Sequence, residues 1–331
     1  MRVPGFSEVV LDHAPMVPED WMQTAFALGL SAKESERSNM DTIKLAERMQ
    51  GRKKFFKTQT MESVSHVLNS VFSQHVRLST QRDCIYHTDA VPERGHQLVG
   101  GRILPAARPS ISVGYYRNVF SPLHDDLQTG IISGPDGQPY DLGHIAQPID
   151  DHFWPFLVVE ISDDSMLAAR QASAVTAATC NNALNLLVEA ATEDGSTWHG
   201  LNAPFERSFL KCFSLSIFEN EACFSVHSTP DGSTHRSTVV TTYSLSDTAS
   251  VARLAGRMHG VAVWAGYSRL EELVRLLDQL DLKVNGAVIK SYSMFRYNFD
   301  PTSIQGTQSK QNHRSEKVRL LFGSKLSRWI R

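Results

Sequence analysis

WPFLVVEIS (154–162) is the stretch on which the reading of this chain turns. Pro155 to Val159 form an unbroken apolar run that leads directly into the single carboxylate of Glu160. Such a run, short and bounded by polar residues, suits a strand buried on both faces, as in a sheet covered by helices on each side. The residues after it, DDSMLAARQASAVTAATCNNALNLLVEAA (163–191), predict a long helix. Asp163 or Asp164 is placed to cap its start, and its many alanines suit close packing on a sheet. Before it, RPSISVGYY (108–116) predicts a strand, because Pro109 biases the backbone preceding it toward an extended entry.

Working outward, TMESVSHVLNSVFSQHV (60–76) has helical spacing of Met61, Val64, Val67, Leu68, Val71 and Phe72, with Thr60 as the expected N-cap. DCIYHTD (83–89) reads as a short strand, and residues 121–153, rich in breakers, as a long loop or insertion. Residues 209–246 contain three apolar runs separated by Glu219-Asn220-Glu221 and Pro230-Asp231-Gly232, the pattern of a meander. Residues 247–282 return to helical spacing through Leu254, Met258, Val261, Leu270, Leu273, Leu277 and Leu280. The expected organisation is an N-terminal arm over 1–57 with short helices at 18–30 and 40–50 and a basic end, a domain over 58–285, and a basic C-terminal extension over 286–331. Helix, strands, central strand, long helix, strands and helix in that order predict an α/β or α+β fold around one mixed sheet.

The chain has 331 residues with a formal charge of -2, so any nucleic-acid surface must be a local patch rather than a global field. Its four cysteines, Cys84, Cys180, Cys212 and Cys223, form no CxxC pair, which argues against a disulfide framework or a structural zinc site. The N-terminal residues lack the pattern of a secretory signal, and no apolar stretch reaches the roughly 18 residues of a membrane span. An intracellular protein of nucleus or cytosol is expected. None of the thirteen histidines falls in an HxH or HExxH pattern. There is no GxSxG and no Walker-type loop, and GVAVWAG (260–266) reads as a close-packed helix segment.

The pairing of RPSISVGYY with WPFLVVEIS and the Ala-rich helix resembles the PD-(D/E)xK nuclease superfamily. More narrowly, it is similar to a fungal family of nuclease-like domains in which a "PD" strand precedes a "WPF-VVE" strand and an Ala-rich helix follows. The resemblance covers about residues 60 to 250 and implies a restriction-endonuclease-like fold. In that layout an acid on one strand and an Asp/Glu-x-Lys on the next hold Mg²⁺ through oxygen ligands, and the lysine stabilises developing charge. The x-spaced pair shares one face because side chains alternate. This chain departs from the pattern at two positions. Ser110 stands where the resemblance implies Asp, and Ser162 where it implies Lys. Serine brings neither charge.

By the resemblance, the candidate catalytic positions are therefore Glu160, Ser162, Ser110 and Gln171, the last where related nucleases often have an orienting Gln. The candidate metal ligands are Glu160, Glu62 and Asp163, with Mg²⁺ as the cofactor if the protein is active. Each has a plainer reading. Glu160 also reads as a strand-end acid paired with an Arg or a backbone donor, Asp163 as a helix cap, Glu62 as an early helix acid, and Gln171 as an ordinary helical polar residue. Two basic-aromatic stretches, Arg52–Lys57 and Lys310–Arg331, are candidate contacts for DNA or RNA, or alternatively solvated faces. Three functions follow as expectations: a nuclease-like protein impaired in catalysis, an active Mg²⁺-dependent nuclease with a migrated site, or a protein-interaction scaffold.

Overall fold

The computed structural model describes residues 8–12, 14–28, 30, 36–51, 56–87, 90, 107–133, 139–191, 212–229 and 234–292. The chain divides into two compact units, Met1–Asn285 and Gly286–Arg331. The described strands all lie in the first. Of the second, the described part is the end of one helix, and the basic stretch expected at Lys310–Arg331 lies outside the described residues.

The fold is α/β, built on a seven-stranded mixed sheet with strand order β1-β9-β8-β7-β6-β3-β2. β6 (Phe153–Ile161) is the predicted central strand, and every residue in it is buried. It pairs antiparallel with β3 (Ile111–Tyr115) on one side and parallel with β7 (Cys212–Phe218) on the other. The parallel pairing requires a crossover, and the long helix α6 (Met166–Ala191) supplies it by packing across β6 and β7. β2 (Leu78–Arg82) closes one edge. The expected meander is β7, β8 (Glu221–Ser228) and β9 (Thr234–Ser244), all antiparallel.

Alternation in the strands separates two layers. On β7, Phe213, Leu215 and Ile217 join the main apolar core, and so do Ala222, Phe224 and Val226 on β8. The helices on this side are α2 (Met40–Gln50), α3 (Lys57–Phe72) and α7 (Thr248–Trp264), packed on one another. Trp264 meets Phe156 and Phe213 edge-on, and Phe213 stacks on Phe224. The intervening residues, Ser112 on β3, Cys212, Ser214 and Ser216 on β7 and His227 on β8, belong to the side that α6 covers. There Ala177 and Cys180 of α6 pack on Val158 and Cys212. Small helix residues let α6 approach the sheet closely, as its composition predicts.

Several expectations are corrected. The described part of the supposed arm is core: β1 (Glu8–Leu11) pairs parallel with β9, and α1 (Pro18–Ala27) buries Trp21 edge-on against Phe224. Leu45, Ala46 and Met49 of α2 are buried in the same core. The weak pattern of this stretch hid its role because each short element buries only one or two residues per turn. The strand expected at 83–89 is instead β2, five residues earlier. The backbone turns at Asp83, which has φ 50. Residues 121–153 are not one loop. Ser121 caps α4 (Pro122–Gln128) by accepting from the His124 N–H, and a hairpin of β4 (Ile131–Ser133) and β5 (Pro139–Asp141) leads into α5 (Leu142–Ala146). Helix α3 starts at Lys57, so Thr60 lies within its first turn and is not its cap.

Candidate functional site

Strand register brings the two motif positions together. Ile111 lies opposite Val159, so Ser110, one residue earlier, lies beside Glu160. The Ser110 hydroxyl accepts a hydrogen bond from the Ile161 backbone N–H at 3.2 Å. In place of a carboxylate, Ser110 thus ties the ends of two neighbouring strands.

Glu160 points to the α6 side and is 5% exposed. The Thr176 hydroxyl, on α6, lies 3.1 Å from its Oε1 and equally 3.1 Å from the Ala172 carbonyl. A hydroxyl has one proton and can satisfy only one of these acceptors at a time. If Glu160 is protonated, it donates to Thr176, which donates to Ala172, and every group is satisfied. Burial acts in the same direction. It pushes the Glu160 carboxyl up to about 7, although the Thr176 hydroxyl, the charge of Lys57 and a backbone hydrogen bond from Ser110 pull it down. Near neutral pH this carboxyl therefore holds its proton in part.

The other candidates sit elsewhere. Ser162 caps the turn after β6, its hydroxyl accepting from the Asp164 N–H at 3.1 Å and the Ser165 N–H at 3.5 Å. Ser165 then caps α6 by accepting from the Ala168 N–H. Neither Asp163 nor Asp164 is the cap, and both are exposed. Gln171 is exposed too. The positions of α6 that meet the sheet's polar groups include Ser173, bonded to Ser216 at 2.8 Å, and Thr176. Glu62 is exposed on α3, whose buried face presents Met61, Val64 and Val67. Among the described residues, no three His, Cys, Asp or Glu side chains come together to hold a metal ion.

These residues do not fit a Mg²⁺ site. A hard divalent cation needs several oxygen ligands with negative charge. Glu160 is a single, partly neutral carboxyl whose neighbours are donors, the Thr176 hydroxyl and the Ser110 N–H, and a cation, Lys57. Among the described residues, Lys57 is a charged group at Glu160 that spacing does not reveal. It is brought there by the start of α3, far away in sequence, and of the stretch Arg52–Lys57 it is described together with Phe56, both exposed.

Beside Glu160, the α6 side of the sheet is a buried hydrogen-bonded layer that motif reading missed. Ser112 Oγ lies 2.7 Å from the Tyr86 hydroxyl and 2.8 Å from His152 Nε2, and His152 Nδ1 lies 3.2 Å from Ser79 Oγ. Gly114 is required here, since a Cβ would meet the Phe153 carbonyl at 2.6 Å and the His152 ring at about 3.0 Å. Across the sheet, His227 joins Ser214 Oγ at 2.7 Å to His235 Nε2 at 3.2 Å, and Asn181 on α6 donates to the His227 carbonyl. Burial pushes His152 and His235 down to about 3 and His227 well down, so all three are neutral connectors. Burial likewise pushes the Cys84 thiol up to about 12 and Cys212 well up, which makes them unreactive. The signal was present in the alternation CFSLSI and CFSVH, where every second residue is Ser, Cys or His rather than a solvent-facing charge. No family model, no curated protein and no solved structure matches this chain.

Proposed function

We propose that this chain is a nuclease-like protein that keeps the strand–helix layout of PD-(D/E)xK phosphodiesterases and has lost metal-dependent hydrolysis. The order α3, β2, β3, β6, α6, β7 supports the layout, with the two motif positions side by side at the ends of β3 and β6. The observation that carries the loss is the sealing of Glu160. Its carboxyl is buried, partly protonated near neutral pH, and surrounded by donors where a cation site needs acceptors. What remains for such a body is binding. DNA or RNA is the proposed partner, through the basic segments Arg52–Lys57 and Lys310–Arg331, because clustered Lys and Arg release counterions on meeting phosphates.

Two measurements test this reading. Plasmid and single-stranded substrates incubated with Mg²⁺ or Mn²⁺ should remain uncut by wild type and by Glu160→Ala alike. Metal-dependent cleavage that disappears in Glu160→Ala would instead establish an active nuclease. Filter binding across a salt series should show log affinity falling with log salt. A flat response, or no binding, would replace the nucleic-acid reading with a protein scaffold.

A further inference from the structure

At the end of α3 opposite Lys57, a second cluster is independent of Glu160. His75, in the turn after α3, and His259, on α7, face each other with ring centroids 5.8 Å apart at 44°. His75 Nε2 and His259 Nδ1 are both shut off from solvent and have no hydrogen-bond partner. The charge of Arg37 acts on both rings. The segment holding it is fixed at two points: the Arg37 N–H donates to the Ala252 carbonyl of α7, and the Asn39 amide donates to Ser70 of α3. On the far rim, Arg77 donates to the Gly266 carbonyl at 3.2 Å, and Gly266 closes against His75.

Burial first, and the charge of Arg37 second, push both imidazoles below their ordinary value. Those charge effects come from Arg37 and, for His259, from His75, and include no carboxylate. Nitrogens that are unpaired and shut off from solvent cost about 1–3 kcal/mol each, and the exposed Arg37 adds positive charge to these half-buried rings, so the site is poised for a ligand that accepts hydrogen bonds and carries negative charge. Among the described residues, the charged groups acting on these rings are a guanidinium and the neighbouring imidazole, which is the wrong field for a cation.

We propose that His75, His259 and Arg37 form a binding site for a phosphate-class oxyanion. One tetrahedral anion can accept from an imidazole N–H on each ring and from the guanidinium, which joins α3, α7 and the segment before α2. Free phosphate and the phosphodiester of a nucleic acid share this chemistry.

The test uses the full chain labelled with ¹⁵N-histidine. Imidazole signals are assigned with His75→Gln and His259→Gln. Inorganic phosphate and a short oligothymidylate are then titrated separately at constant ionic strength, with chloride as the control. Saturable movement of both ring signals together is expected with at least one probe, and the responding probe identifies the source. Arg37→Gln, an exposed substitution, should weaken that binding about tenfold, as loss of one charge-assisted contact implies. Rings that stay unmoved by both probes, or move equally with chloride, would overturn the site and leave a bridging water between the two nitrogens. The wild-type titration and Arg37→Gln decide the matter even if a histidine variant fails to fold.

Discussion

Glu160 is an acid whose environment favours its neutral form, and this has a definite consequence for stability. Its folded pKa, about 7, lies above the ordinary value of 4.5. The folded state therefore holds a proton that the unfolded chain releases between those values, and stability falls as pH rises through that window. Below about 4.5 the effect is absent. Glu160→Gln keeps the shape and removes the charge. It should raise stability near pH 8 by on the order of 3 kcal/mol, since one pKa unit is about 1.4 kcal/mol, with little change near pH 4. Urea midpoints at the two pH values check this, and an equal effect at both would show that the carboxyl is not titrating in the fold. Ser112 makes a second residue-scale prediction. Ser112→Ala leaves His152 Nε2 unsatisfied and the Tyr86 hydroxyl with only the Cys180 thiol at 4.0 Å in a closed layer, and should cost about 2 kcal/mol or more. Ser162→Ala removes a partly exposed turn cap and should cost about 1 kcal/mol. Chemical denaturation of the two variants side by side tests the ranking.

At the scale of elements, the junction after α7 is the unusual one. Residues Ala265–Arg269 form a π-helical turn that continues into α8 (Leu270–Tyr292). The wider turn carries Arg269 inward to 1% exposure, between the rings of Tyr115, Phe156 and Trp264. Its Nη2 reaches the Pro155 carbonyl at 3.5 Å, while Nε and Nη1 have no partner. Ring faces and one long hydrogen bond offset only part of the desolvation of a buried cation. Arg269→Met keeps the volume and removes the charge, so it should change stability by less than about 1.5 kcal/mol. Arg269→Ala should cost about 3 kcal/mol through the cavity it opens. Thermal midpoints of the two variants test this. If Met proves as damaging as Ala, the guanidinium itself holds the turn. The same turn presents Gly266 to His75 and Arg77, so a change in its geometry also reaches the proposed anion site.

For the whole molecule, the N-terminal elements are part of the fold and not an appendage. β1 covers the exposed edge of β9, Trp21 lies under Arg257 at 4.6 Å and against Phe224, and α2 packs on α3 and α7. Removing residues 1–50 uncovers a long strand edge and the apolar faces of two helices. That deletion should abolish cooperative unfolding and the near-ultraviolet circular dichroism of the buried aromatics. A truncated chain with an intact cooperative transition would restore the picture of a separable arm. Among the described residues, no helix is long and apolar enough to cross a membrane.

Local pattern determined much of this protein. The unbroken run of WPFLVVEIS required a strand covered on both faces, the Ala-rich stretch after it required a helix packed tightly on that sheet, and the turn residues near 220 divided the first two strands of a meander. These features depend on periodicity and backbone preference, which act over a few residues and can be read directly. Tertiary structure alone decided what Glu160 became. Its partners, Thr176, Ser110 and Lys57, arrive through strand register, a crossover helix and the start of α3, and the carboxyl's charge state depends on how completely those elements exclude water. The same holds for Glu62, Asp163 and Gln171, whose types and spacing suited a metal site but whose positions on α3 and around α6 leave them in solvent. Side-chain chemistry is local, but the dielectric around a charge is set by everything packed over it, and packing joins residues that no short stretch of sequence brings together.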